Sequence, residues 1–164
     1  MEKDIRELME ILKESSVCTI KSPCGQPKLR DGEVLPDDLK LFYEQIGGLV
    51  FNDDSYHFEI VGPNEMVLTN PVVVGELCED DISSDWYIIC KDIEDNYISI
   101  DMNEKRLGRC YDSFWDRHGV VGECSIVARS FTELLWNLMN NQKNEYPYWL
   151  EDGFDYIGDA YDEL

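Results

Sequence analysis

Carboxylates are the commonest reactive groups in this chain. Thirty-five Asp and Glu stand against 14 Lys and Arg and two histidines in 164 residues, for a net charge of −21. Two carboxylates facing each other across a bond can act as general acid and base. In a chain this rich in acids, however, spacing marks out no particular pair. Glu79-Asp80-Asp81 is a dense acidic run, but it lacks the spaced ligands and the glycine of a calcium loop, so no metal site is assigned. His57 and His118 each stand without a recognisable partner set, and His57 reads as the solvent-facing residue of a strand. The six cysteines (Cys18, Cys24, Cys78, Cys90, Cys110, Cys124) show no pair with the short gap of a zinc knuckle. They read as packed thiols, with Cys90 and Cys110 on neighbouring strands. The chain has no phosphate-binding glycine loop, no nucleophile elbow and no zinc-protease helix motif. No catalytic residue and no cofactor are therefore assigned, which leaves a binding surface as the expected chemistry.

The charge is unevenly distributed. Residues 41–90 hold ten acids and residues 144–164 hold seven, and neither segment contains a Lys or Arg. The remaining stretches are nearly balanced. Nucleic-acid binding needs cations for the phosphates, which this chain offers sparsely, so direct nucleic-acid contact is not expected. An acidic surface suits solubility or a basic protein partner. No apolar run reaches membrane-spanning length, and Met1-Glu2-Lys3-Asp4 does not read as a secretion signal. A cytoplasmic protein without membrane contact is expected.

The elements that must position such a surface are legible from periodicity. Ile5, Leu8, Met9 and Leu12 recur at helical spacing. A second helix opens at Leu35-Pro36, carries Asp37 and Asp38 in its first turn, and aligns Leu35, Leu39, Phe42 and Ile46 on one face. It closes at Gly47-Gly48, where Gly47 fits a left-handed terminal residue and Gly48 a sharp exit. Tyr56, Phe58 and Ile60 alternate as a strand. Val72-Val73-Val74 reads as a short strand or buried bend, followed by an acidic loop over 76–85. Three strands follow, over 86–90, 97–102 and 107–111, joined by short turns that predict an antiparallel meander. Ser130 and Glu133 form a capping box for a last helix lined by Phe131, Leu134, Leu135, Leu138 and Met139. The expected class is α+β, a mainly antiparallel sheet with helices packed on one side. One domain over 1–143 is followed by an acidic, aromatic extension over 144–164 that packs on the domain or on a partner.

Several of these stretches together resemble the SUKH superfamily. They are Leu35-Pro36 opening a helix that ends in Gly47-Gly48; the step Ile98-Ser99-Ile100-Asp101 ahead of Gly108-Arg109-Cys110-Tyr111; and the closing helix start Ala128-Arg129-Ser130-Phe131-Thr132-Glu133. The resemblance covers roughly residues 1–141. It implies a non-enzymatic binding module. Members are largely bacterial immunity proteins that neutralise toxins, often nucleases, by binding them, and fungal relatives regulate cell-wall synthesis. For a cognate toxin with a basic surface, the expected contact residues are Asp53, Asp54, Glu79, Asp80, Asp81 and Asp85, with Trp86 and Trp149 as aromatic anchors. The competing expectation is a regulatory or structural scaffold that self-associates through the aromatic tail. The oligomeric state stays open.

Overall fold

A computed structural model of the chain describes residues 4–52, 58–141 and 145–162. Among the described residues, seven short antiparallel strands lie side by side in chain order: β1 (Cys18–Ile20), β2 (Leu49–Phe51), β3 (Glu59–Ile60), β4 (Trp86–Lys91), β5 (Tyr97–Asp101), β6 (Cys110–Ser113) and β7 (Ile126–Ala128). The register pairs Trp86 with Asp101, Lys91 with Tyr97, Tyr97 with Ser113 and Tyr111 with Ile126. Because side chains alternate between faces along a strand, this register sorts the residues into two layers.

One face is dry. It carries Ile60, Ile98, Ile100 and Cys110, and three helices cover it: α1 (Ile5–Glu14), α2 (Asp37–Gln45) and α4 (Phe131–Asn140). Leu8, Met9 and Leu12 come from α1; Leu39, Phe42 and Tyr43 from α2; Phe131, Leu134, Leu135 and Leu138 from α4. All are buried. The Phe42 and Phe131 rings meet edge to face at 5.0 Å, which fixes α2 against α4. Truncating any one of these side chains to Ala should cost about 2–5 kcal/mol. The helix starts are set by side chains. Asp4 accepts from Arg6 N, and Ser130 accepts from Glu133 N at 3.0 Å. Asp38 reaches from α2 to accept from both the N and Oγ1 of Thr132, at 2.8 Å each. One carboxylate thus caps a helix remote from it in sequence.

The opposite face is mixed. Trp86, Ser99, Asp101, Tyr111, Ser113 and Ile126 lie there, and the segments before β4 and after β6 cover them. A short helix in the first of these segments, α3 (Thr69–Val73), sits on this face, because Thr69 Oγ1 lies 2.8 Å from Ser99 Oγ. The helices are therefore not confined to one side. Three long ones occupy the dry face and one turn of helix the other. This also corrects the reading of Val72–Val74. Val72 and Val73 end a helix that Val74 caps, and Val72 and Val74 are exposed, since the buried positions of that helix are Thr69 and Asn70.

Three further expectations are revised. The third strand of the meander begins at Cys110 rather than Leu107, because Gly108 turns at φ 87° and β6 pairs only from there. Cys90 and Cys110 are not on neighbouring strands. They pair with Ile98 and Ile100 of the intervening β5, and both are free thiols. Gly47 does not take the left-handed conformation. The helix ends on Ile46 in extended backbone (φ −135°, ψ 125°), and Gly48 carries the positive φ of 144°. Gly47 is required for space instead. A Cβ there would lie 2.0 Å from the Ser22 carbonyl oxygen, where the chain leaving β1 crosses the helix exit.

The C-terminal residues lie along the domain. Ile126 N donates to Gly158 O at 2.9 Å and Ala160 N to Cys124 O at 2.8 Å. Residues 158–160 thus cover the outer edge of β7, where an open sheet edge would otherwise offer unpaired N–H and C=O groups.

Candidate functional site

The predicted contact residues fall into three groups. Asp53 and Asp54, together with His57, lie outside the described residues. Glu79 and Asp80 are exposed, and neither has a side-chain partner among the described residues. The other four are engaged inside the protein.

Asp85 accepts from Arg30 Nη2 and from Asn103 Nδ2, each at 3.0 Å, with Arg106 Nη2 3.9 Å away. Arg30 also binds Glu33, whose other oxygen takes the Tyr87 hydroxyl. The hydrogen bond to Glu33 holds the Arg30 guanidinium above its ordinary pKa, and burial beside Glu33 pushes Tyr87 up to about 12. Trp86 is 0% exposed, stacks on Tyr111 at 4.0 Å, and points its indole N–H at Asp101 Oδ2, 3.2 Å away. Asp101 also accepts from Tyr111 O–H at 2.6 Å, Arg106 Nε at 2.9 Å and Asn103 N at 2.9 Å. Burial raises the Asp101 pKa, although Tyr111, Asn103 and Arg106 all pull the other way. Trp149 is 6% exposed. It stacks on Phe58 at 5.5 Å and donates to Asp112 Oδ2 at 2.9 Å, which also accepts from Arg117 Nε. Each tryptophan thus binds a buried carboxylate, and neither presents its ring to the surface.

Asp81 belongs to a buried polar chain that runs across the mixed face. Its Oδ2 accepts from Ser83 N, Ser83 O–H and the Tyr161 hydroxyl. Burial would raise the Asp81 pKa, but these hydrogen bonds outweigh it, and the group sits below the ordinary carboxylate value. Asn70 Nδ2 donates to Leu77 O and Ser83 Oγ, which turns Asn70 Oδ1 toward His118 Nε2 at 2.6 Å. That nitrogen must then carry the proton, leaving His118 Nδ1 to accept from Ser113 O–H at 2.9 Å. Ser113 in turn meets Ser99 at 2.6 Å, and Ser99 meets Thr69. Burial holds His118 neutral, with its pKa pushed down to about 4.

Ser113, His118 and Asn70 are the residue types of a nucleophilic relay. Yet Ser113 is 0% exposed and its hydroxyl lies between Ser99 and His118, so it cannot meet a substrate. The chain of donors and acceptors satisfies itself, and its role is to tie α3, the segment after β6 and the sheet into one layer. No local pattern marks these residues. Thr69 and Asn70 are far in the chain from Ser99 and His118, and only the tertiary fold brings them together. Among the described residues no group of three or more His, Cys, Asp or Glu is placed to hold a metal ion, and no helix is long and apolar enough to cross a membrane.

The cations are also localised. Lys105, Arg106, Arg109 and Arg129 line a groove of about 830 Å³ beside the β5–β6 turn and the start of α4. With Arg30, they offset the carboxylates at the end of the sheet where β4 begins. At the other end, where β4 runs into β5, the nearby cations are held: Lys91 by Glu65 at 3.1 Å and Arg117 by Asp112 at 2.6 Å.

A seven-stranded antiparallel meander with three helices on one face and a self-satisfied polar layer on the other defines an α+β architecture. Sequence comparison places it. Residues 28–137 match the SMI1 / KNR4 family (SUKH-1), and the chain belongs to that family. It is also 47% identical over 158 residues to the immunity protein YokJ of Bacillus subtilis (strain 168), covering 96% of this chain and 95% of that protein. No solved structure matches it.

Proposed function

We propose that this chain is an immunity protein, which neutralises a cognate toxin by binding it and carries out no reaction of its own. The observation that carries this reading is its 47% identity, over nearly the whole of both chains, to a protein bearing that name. The net charge of −21 supports a finer version, in which the toxin presents a basic surface, as a nuclease does for its phosphates. Acidic side chains then steer the two together, and a small apolar contact holds them. Glu79 and Asp80 are accessible to contribute to steering. Asp81, Asp85, Trp86 and Trp149 support the fold that presents the binding surface.

The test is co-expression with the toxin encoded beside this chain's gene. Cells carrying both should survive, the purified proteins should form a one-to-one complex, and association should slow as salt rises. Toxicity undiminished by co-expression would overturn the reading. Tight binding whose association rate ignores salt would leave the immunity role standing and remove the electrostatic part.

A further inference from the structure

We infer that the toxin-contacting surface lies at the end of the sheet formed by the β4–β5 turn and the Phe114–His118 turn, with Trp115 and Ile93 as its anchors. The inference rests on the immunity reading above and says where on the fold it is carried out.

The two most exposed large apolar side chains among the described residues are Ile93, at 92%, and Trp115, at 80%. Trp115 makes no hydrogen bond or ring contact among the described residues, so nothing inside the protein explains its presence there. Both side chains are nevertheless held out by ordered backbone. Asp92 Oδ1 accepts from Glu94 N and Asn96 N, at 2.9 and 2.8 Å, closing the turn beneath Ile93. On the other side, Phe114 packs on Phe58 and Trp149, while His118 N donates back to Phe114 O at 2.8 Å and its ring is locked into the polar layer. Trp115 is thus carried between two anchored residues. An anchor ordered before binding loses little freedom on complex formation, and tryptophan is among the residues that most often dominate an interface.

The register places the two together. Lys91 pairs with Tyr97 and Tyr97 with Ser113, so the β4–β5 turn and the residues after β6 leave the same end of adjacent strands. At the usual strand spacing, Ile93 and Trp115 lie roughly 10–15 Å apart. Leu150, half exposed, follows Trp149 at the same end.

Charge decides the kind of partner. Glu94 and Asp95 are exposed with no side-chain partner among the described residues, and Asp116 is exposed beside them. Lys91 and Arg117 are already held by carboxylates. An apolar patch with an acidic rim fits a protein surface with an apolar socket ringed by Lys and Arg. It repels an anionic bilayer, whose surface attracts cations. The rival patch, Val72 and Val74, is only about half exposed, and Val72 lines a groove that it shares with Lys28 and Arg30 rather than with free carboxylates.

The test titrates this chain with the toxin that it neutralises on co-expression. Trp115→Ala should weaken binding about 30-fold or more, and Ile93→Ala by a smaller factor. Glu94→Lys with Asp95→Lys should slow association about tenfold at low salt. Val72→Asp with Glu79→Lys and Asp80→Lys should change the dissociation rate less than about threefold. Melting temperatures serve as the folding control. If the wild type binds and Trp115→Ala binds equally well, or if only the Val72 set abolishes binding, the location is wrong and the immunity reading stands. If the wild type binds no toxin, both fail together.

Discussion

At the end of the sheet where β4 begins, carboxylates face inward onto donors. Asp101 collects an indole, a phenol, a guanidinium and a backbone N–H; Asp85 bridges Arg30 and Asn103; Asp81 takes Ser83 and Tyr161. At the other end Glu94 and Asp95 face water beside an exposed Ile93 and Trp115. In sequence nothing separates the two sets: one includes Asp85 next to Trp86, the other Asp116 next to Trp115. In the fold one set has become structure and the other has been left available. The count of acids therefore overstates the carboxylates that a partner meets, because some of them are engaged inside the protein.

That contrast can be broken most directly at Asp101. Its replacement by Ala leaves Arg106, Tyr111 and Trp86 without their shared acceptor and should cost about 3–5 kcal/mol in urea denaturation. A loss below about 1 kcal/mol would mean that the inward carboxylates are not structural. His118 gives the next largest effect. Its folded pKa of about 4 lies below the unfolded value, so the unfolded chain takes up a proton first as pH falls. The stability linked to neutral His118 is complete above about pH 6.5 and should be lost between there and about pH 4, on the order of 3 kcal/mol. The measurement is the difference in stability between wild type and His118→Gln across that range, and a flat difference would remove His118 from the account. Tyr161→Phe should cost about 1–3 kcal/mol and speed amide exchange around Ser83, because Asp81 then loses its contact with the C-terminal segment. Last, Trp115→Ala, Ile93→Ala and the pair Glu79→Lys with Asp80→Lys should each stay within about 0.5 kcal/mol of wild-type stability. A large loss from any of them would move that residue from the available set to the structural one.

Much of the framework was legible before the fold. The capping box at Ser130 and Glu133 and the apolar faces of α1, α2 and α4 were read from spacing. The β4–β5 hairpin is legible in two short apolar strands joined by a short turn, because local periodicity reports which side of an element is buried. Gly47 shows where such reading stops. Glycine at a helix end usually signals a left-handed residue, yet here the cause is the Ser22 carbonyl, a neighbour that no local window contains. The short helix α3 is invisible to a hydrophobic pattern because its buried residues are the polar Thr69 and Asn70. Trp86 and Trp149, the expected anchors, are buried. Trp115, which is exposed, sat in a loop with no pattern to distinguish it.

The sequence by itself determined the α+β class, the antiparallel order of the central strands, the family resemblance and the strong acidity. All of these follow from residue type and from periods short enough to be local. Only the tertiary structure decided which acids remain free. It closed the edge of β7 with residues 158–160 and assembled the chain from Thr69 through His118 to Tyr161. It also separated an exposed tryptophan from two buried ones. The reason is that burial and pairing are properties of neighbours distant in the chain, and strand register, which sequence spacing leaves undetermined, selects those neighbours.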